Sequence, residues 1–343
     1  MTDLTRDALG WSPYYMTQLD LDELETLTPA RIATVHRDRV VGFSEIGTLE
    51  LTLDPGITTA AVGVGDWVLC APDQHRLVRV LERQTELTRG TEYHTGEKQL
   101  IAANLDTLFV TSSCNSDFNP ARLERYLALA HDAMITPVIL LTKADQTDDP
   151  DSFVEQARAL GRDLEVVVMD AKTDDVPALL AAWCGKGQTV ALAGSSGVGK
   201  TTIANALTGG DAATRAIRED DARGRHTTTG RSMHRMQSGG WLIDTPGMRG
   251  LGVAEVAYGI DATFPEISEL AETCKFRDCE HETEPGCAVQ AAIQTGAVDA
   301  ERLKRFKKLK RENQYATETI AQARDRSRNL GKMYRSAIKK KDR

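Results

Sequence analysis

The order of apolar and polar positions divides the 343-residue chain into blocks of different period. Between about residues 29 and 90 the runs "RIATVHRDRVVGF", "GTLELTL", "GDWVLC" and "HRLVRVLER" are separated by turn signals at Asp54-Pro55-Gly56 and Gly63-Val64-Gly65-Asp66. Alternation with period two sends successive side chains to opposite faces of a strand, and several short strands at this spacing predict a small barrel or sandwich. The size fits a five-stranded OB-type barrel, a common oligonucleotide-binding scaffold. An SH3-like barrel would give a similar string, and no dense aromatic platform for base stacking is present.

From about 100 to 255 the period changes. Near-continuous Val/Ile/Leu runs, among them "DTLFVTSS", "TPVILLTKAD", "LEVVVMDAKT", "QTVALAG" and "GGWLIDTPG", alternate with amphipathic stretches such as "PARLERYLALAHDAM" and "KTTIANALTG". Strands that are apolar on both faces and alternate with helices predict a parallel sheet covered on both sides. Four segments follow: an acidic extension at 1–28, an OB-type β-barrel at 29–97, a central α/β domain at 98–255, and an α-rich C-terminal domain at 256–343. The extension carries Asp3, Asp7, Asp20, Asp22, Glu23 and Glu25 against Arg6, with at most a short helix near "DLDELETL".

Composition narrows the class. With 41% hydrophobic and 27% charged residues the chain reads as a soluble globular protein, and no apolar stretch approaches bilayer length. The first residues lack a basic start followed by an apolar run, so a cytoplasmic location is expected. The net charge of −8 conceals an asymmetry, because residues 301–343 hold sixteen Lys+Arg against five Asp+Glu. An acidic body with a basic tail points to polyanion contact through one end, or to a solvated lysine-rich helix. The stretch "AERLKRFKKLKREN" reads as an amphipathic helix, with Leu303, Phe306 and Leu309 on its apolar side and a charged face suited to RNA phosphates.

The segment Gly194-Ser195-Ser196-Gly197-Val198-Gly199-Lys200-Thr201, followed by Thr202, fits G-x-x-x-x-G-K-[ST] between a strand and a helix. Glycines let backbone N–H groups curl around phosphate oxygens, and the helix N-terminus adds its partial positive charge. Lys200 is placed for the β- and γ-phosphates and the Thr201 hydroxyl for Mg²⁺. Downstream, "WLIDTPG" ends a strand in Asp-x-x-Gly, with Asp244 for the Mg²⁺ shell and Gly247 for the γ-phosphate. Between them "GRHTTTG" offers Thr227, Thr228 and Thr229, any one of which could close over Mg²⁺ as a switch. Met248 stands where many GTPases carry a water-orienting glutamine, so another group must serve, and His226 is the candidate.

Base selection is the remaining element. Thr142-Lys143-Ala144-Asp145 closes an apolar strand, and an Asp carboxylate can accept from both the ring N–H and the exocyclic amine of guanine. The Lys143 stem can lie along the base plane, and "MDAKT" could supply the Ala171 N–H to the guanine carbonyl. Both boxes precede the phosphate loop, whereas an ordinary GTP-binding domain has them after it. Cutting such a domain after its D-x-x-G box and joining its old ends gives this order, which closely spaced termini permit.

With "VGDWV" (64–68), "IAANLD" (101–106), "TKAD", "GSSGVGKTT", "GRHTTT" and "DTPG" in place, the chain resembles the circularly permuted GTPases called ribosome small subunit-dependent GTPase A (RsgA, also YjeQ), over roughly residues 29–320. The resemblance implies an OB barrel, a permuted G domain and a zinc-bearing C-terminal domain. It also implies GTP hydrolysis stimulated by the small ribosomal subunit during its late maturation; the expected partners are that subunit and its rRNA, with no membrane and a monomeric chain. Ser-Ala is usual in that family where this chain has Asp170-Ala171, and the acidic residues 1–27 are not matched to a feature of the family pattern.

Of six cysteines, Cys274, Cys279 and Cys287 fall beside His281 within fourteen residues, a Cys₃His set suited to one structural, tetrahedral Zn²⁺. The spacing matches the zinc motif of the resembled family. Two functional readings stand: a GTPase whose γ-phosphate contact at Gly247 repositions the C-terminal domain, or an RNA-binding assembly factor in which GTP sets affinity and turnover is incidental. An ATPase or small-molecule kinase on the same loop is disfavoured by Asp145.

Overall fold

A computed structural model describes residues 4–90, 98–210, 231–244 and 255–317. The chain forms two compact units, residues 1–88 with 100–250, and residues 89–99 with 251–343.

In the first unit, β1 (Thr28–Val35), β2 (Val40–Ser44), β3 (Gly47–Leu53), β4 (Trp67–Ala71) and β5 (Arg76–Val80) close in the order β1-β2-β3-β5-β4-β1. The β3–β5 pair is parallel and the other pairs are antiparallel. This is the five-stranded Greek-key closure of an OB barrel, and an SH3-like order does not apply. The inward set Ala30, Ile32, Val40, Leu51, Val68 and Leu77 fills it. These are the alternate apolar positions of the strand runs.

β6 (Glu86–Gly90) and β7 (Lys98–Ala103) form a separate two-stranded ribbon. The central sheet therefore starts later than the change of period suggested, at β8 (Thr107–Ser113). Its other strands are β9 (Thr136–Thr142), β10 (Glu165–Val168), β11 (Thr189–Gly194), β12 (Ser232–Arg235) and β13 (Trp241–Asp244), ordered β10-β9-β8-β11-β13-β12. All are parallel except β12, which runs antiparallel to β13 and touches the barrel at Thr34↔Ser232. Its helices are α3 (Pro120–Asp132), α4 (Pro150–Arg158), α5 (Val176–Leu179) and α6 (Lys200–Thr208). Phe109, Val138, Leu140, Val190, Leu192 and Ile203 form its buried core.

From β8 the chain moves outward through β9 to β10. From β11 it moves to the opposite side, through β12 and β13. The strand order reverses between β8 and β11, and in open α/β sheets ligands bind at the carboxyl ends of the strands at such a point.

The two motif segments at the seam have identifiable tasks. Gly65 (φ 92°) lies where a Cβ would stand 2.1 Å from the Ala103 carbonyl oxygen, so only glycine fits. Asp66 is fully buried and accepts from Arg83 Nε (2.6 Å), Arg83 Nη2 (2.8 Å) and the Gly63 amide (2.7 Å). Asn104 donates from Nδ2 to the Gly65 carbonyl at 3.0 Å, and Asp106 ties β8 to β11 by accepting from the Thr189 amide at 2.7 Å.

The acidic leader is not a loose extension. A 3₁₀ turn at Asp7–Leu9, α1 (Pro13–Met16) and α2 (Leu21–Thr26) pack Leu9 and Tyr15 into full burial. Trp11 and Tyr15 lie 4.8 and 5.7 Å from the Trp67 ring. The Leu9 carbonyl accepts from the buried Arg31 guanidinium at 2.5 Å, and the Ala8 carbonyl from the Trp241 indole at 2.7 Å. Asp7, Asp20, Asp22 and Glu25 are exposed, whereas Glu23 accepts from Arg79 at 2.7 Å, and the segment's apolar residues are too few to show a period.

In the second unit α7 (Ala257–Thr263), α8 (Pro265–Glu272), α9 (Ala288–Gln294) and α10 (Ala300–Thr317) surround Phe264, Ile267, Val289, Leu303, Phe306 and Leu309. Arg302 is buried among them, paired with Glu266 and stacked 4.6 Å from the Phe264 ring centroid.

Candidate nucleotide site and metal centre

The phosphate loop leaves β11 at the reversal point and ends in α6. Gly194 (φ 137°) brings the loop so close to β8 that a Cβ would stand 2.2 Å from the Thr111 carbonyl oxygen. Gly197 (φ 79°) and Gly199 (φ 101°) complete the left-handed turns before Lys200 opens the helix. Lys200 Nζ folds back over the loop, donating to the carbonyls of Gly194 at 2.9 Å and Ser195 at 2.5 Å. Ser196, Thr201 and Thr202 lie at the mouth of the loop and the first helical turn, where unsatisfied N–H groups converge.

The base box stands beside it. The buried Thr142 hydroxyl, at the end of β9, lies 2.6 Å from the Val198 carbonyl and 3.1 Å from that of Ser112, so one side chain joins base box, β8 and phosphate loop. Lys143 adopts left-handed geometry (φ 57°) and turns Ala144 and Asp145 into a short 3₁₀ segment. Asp145 is exposed and open to a base. The loop after β10 is closed by the Asp170 carboxylate, which accepts from the Lys172 amide (3.1 Å) and the Thr173 hydroxyl (2.9 Å). These contacts hold Asp170 below the usual carboxylate range. The turn is built by Asp170 where the resembled family usually has serine, and the Ala171 amide has no acceptor among the described residues.

Asp244 ends β13, and burial raises its carboxyl while His234 and Lys200 pull it down. Thr201, in the helix after β11, and Asp244, at the end of the neighbouring parallel strand β13, thus stand at the carboxyl ends of adjacent strands. His226, Thr227, Thr228, Thr229, Gly247 and Met248 lie outside the described residues.

Three neighbours escape sequence reasoning. Asp117, in the loop after β8, accepts from the Ser195 hydroxyl at 2.6 Å. That contact, with the Arg122 guanidinium at 3.3 Å, holds its carboxyl below the ordinary range. The buried Tyr126 of α3 is hydrogen-bonded to the backbone of Gly194, though burial raises its phenol overall. His234 on β12 lies 2.8 Å from the Ser232 hydroxyl and carries a burial-lowered pKa. The available signal was only that Asp117 follows the strand that an open sheet would place next to the phosphate-loop strand.

In the second unit the Cys274, Cys279, His281 and Cys287 ligand atoms all lie within 4.8 Å of one another. Cys274 and Cys287 sulfurs are 3.9 Å apart, and each lies 3.6 and 3.5 Å respectively from His281 Nδ1. A tetrahedral zinc with ordinary bond lengths requires about 3.8 Å between sulfurs and about 3.5 Å from sulfur to nitrogen. A disulfide is excluded by the same spacing. The loop is shaped independently of any ion: the Glu284 carboxylate accepts from the amides of Glu280 (2.8 Å), Glu282 (2.8 Å) and Thr283 (3.0 Å), which brings its pKa to about 2. Gln290 Nε2 holds the His281 carbonyl at 2.7 Å, where His281 is left-handed (φ 58°).

A phosphate loop, an acidic strand end and a guanine box, in permuted order around one reversal point, define a circularly permuted P-loop nucleotide hydrolase. The model of the RsgA GTPase family matches residues 80–254. The small ribosomal subunit biogenesis GTPase RsgA of Mesorhizobium japonicum is 56% identical over 313 residues, 90% of each chain. The crystal structure of YjeQ from Thermotoga maritima has a similar fold, with a TM-score of 0.61 at 23% identity, covering 82% of this chain and 97% of that one. YloQ, described as a circularly permuted GTPase, gives 0.58 at 24% identity, covering 85% and 96%. The chain belongs to the RsgA GTPase family and is a GTP hydrolase.

Proposed function

We propose that this chain binds GTP at the carboxyl ends of β8, β9 and β11 and hydrolyses it in the cytoplasm during biogenesis of the small ribosomal subunit. The observation that carries the site is the contact of Thr142 with the Val198 carbonyl, because it makes base box and phosphate loop one structure. In this reading Gly194, Ser195, Ser196, Gly197, Val198, Gly199 and Thr202 line the phosphates with backbone N–H groups, and Lys200 exchanges its loop carbonyls for the β- and γ-phosphates. Asp145 accepts from the guanine edge, Lys143 and Ala144 flank the base, and the Ala171 amide donates to its carbonyl. Thr201 and Asp244 would hold Mg²⁺, together with one of Thr227, Thr228 and Thr229. The ion, when bound, supplies positive charge to the phosphoryl oxygens. Gly247 is assigned to the γ-phosphate and His226 to orienting the attacking water.

The Cys₃His set fits one structural Zn²⁺, with all four positions taken by protein and none left for a reacting water. The basic helix α10 buries Leu303, Phe306 and Leu309 and exposes Lys304, Lys308, Lys310 and Arg311, a face suited to rRNA phosphates. β13 leads along the chain into this second unit, through which the nucleotide state would be coupled to ribosome binding and release. The relative from Mesorhizobium japonicum is named for small-subunit biogenesis, which supports the same partner, and a monomer suffices for every contact assigned.

The base assignment is tested by Asp145→Asn. An amide offers one donor and one acceptor, which suits the 2-carbonyl and ring N–H of xanthine and leaves the guanine amine unpaired. GTP affinity should fall at least about tenfold while xanthosine triphosphate affinity rises. An unchanged preference for GTP would remove Asp145 from the site.

A further inference from the structure

The phosphate loop is held from outside at three points. The Gly194 backbone meets the Tyr126 phenol, the Ser195 hydroxyl donates to Asp117 Oδ2 at 2.6 Å, and the Val198 carbonyl accepts from Thr142 at 2.6 Å. Of these three holders Asp117 is the charged one, and it belongs to none of the nucleotide motifs.

Its own position is fixed. The Asp117 amide donates to Asn115 Oδ1 at 3.0 Å, which also accepts from the Ser113 hydroxyl at 2.9 Å, and Arg122 Nη1 reaches Asp117 Oδ1 at 3.3 Å. An ionised carboxylate can only accept, so the Ser195 hydrogen must point outward, in a short charge-assisted bond. Ser195 is also the residue whose carbonyl takes Lys200 Nζ at 2.5 Å. A chain of contacts therefore runs from Asp117 through the Ser195 side chain to the Ser195 peptide and on to the lysine ammonium.

We propose that Asp117 is a positioning residue for phosphate binding: by holding the Ser195 hydroxyl it fixes the Ser195 peptide, one of the loop amides assigned to the phosphates, and so sets affinity for phosphates beyond the first. The inference rests on reading 194–201 as the phosphate site. A carboxylate near phosphates is electrostatically unfavourable, and Arg122 on its second oxygen offsets that charge. The acceptor, not the charge, is the useful part of Asp117.

Dissociation constants of GDP and GMP, with the melting temperature of the nucleotide-free full chain, separate the possibilities. GMP lacks the phosphate that Lys200 reaches. Asp117→Ala should weaken GDP about five- to tenfold, within the net worth of one ordinary hydrogen bond, and GMP less than about twofold. Asp117→Asn keeps an acceptor and should bind GDP within about twofold of the parent. Ser195→Ala should match Asp117→Ala, with no further loss in the double variant. Equal losses for GDP and GMP, an Asp117→Asn as weak as Asp117→Ala, or a parental Asp117→Ala beside a Lys200→Ala that has lost GDP would each overturn the proposal. A Lys200→Ala that binds GDP normally would instead remove the phosphate-site reading on which it rests.

Discussion

Thr142 illustrates how much a residue in a short motif can do beyond its motif role. Its place in T-K-x-D made it one letter of a base box, yet its hydroxyl is spent on the Val198 carbonyl, fifty-six residues away. Valine has the same shape without the donor, so Thr142→Val strands a buried carbonyl at a cost of about 1–3 kcal/mol. A lower denaturant midpoint together with weaker GDP binding is expected, and unchanged values for both would deny the coupling. His131, in the last turn of α3, has its pKa lowered from 6.5 by burial. Its folded form resists a proton that the unfolded chain accepts. Stability therefore falls as pH drops below about 6.5 and levels off once the native ring also titrates. His131→Gln should flatten that limb in denaturation measured between pH 7.5 and 5, and an identical slope would assign it elsewhere. The motif residues were legible because their chemistry fixes both type and spacing. Asp117 and Tyr126 were not, because each acts through a neighbour that only the folded sheet supplies.

At the scale of elements, period and turn chemistry carried most of the reading. Strands apolar on both faces became the central parallel sheet, and alternating ones became the barrel, whose parallel β3–β5 closure no local pattern encodes. The leader shows the limit: its acidic residues suggested a solvated tail, whereas Leu9 is buried and Trp11 and Tyr15 lie against Trp67. Tyr15→Ala should cost about 3–5 kcal/mol, as for other buried aromatics, and lower the thermal midpoint of the whole first unit. A midpoint unmoved by this change would mean that the leader contributes nothing to the fold. The Cys/His loop was legible by spacing alone, but the carboxylate of Glu284 that shapes it was not. Purified chain should contain about one zinc, and Cys279→Ser or strong chelation should melt the helices of the second unit selectively. Helical content unchanged after chelation would contradict a structural metal.

For the whole molecule, the order of the boxes was the most informative property of the sequence. Base box before phosphate loop implied that the chain starts its central domain mid-way, and the sheet order β10-β9-β8-β11-β13-β12 shows the reversal between β8 and β11 that this requires. The consequence is that, within the central domain, the two strands holding the phosphate loop from outside are made first, and the acidic strand end comes last, followed along the chain by the Cys/His loop and the basic helix. Charge follows the same division, with the acidic body ahead of position 301 and the basic tail beyond it. A nucleotide hydrolase arranged this way should turn over slowly alone and quickly on its RNA-bearing partner. The most direct measurement is the rate of phosphate release from GTP by the full chain, with and without purified small ribosomal subunits, beside ATP. The expected result is at least a tenfold or so acceleration of GTP hydrolysis by the subunits and none of ATP, equivalent to about 1.4 kcal/mol of barrier. Equal GTP rates with and without subunits would contradict it.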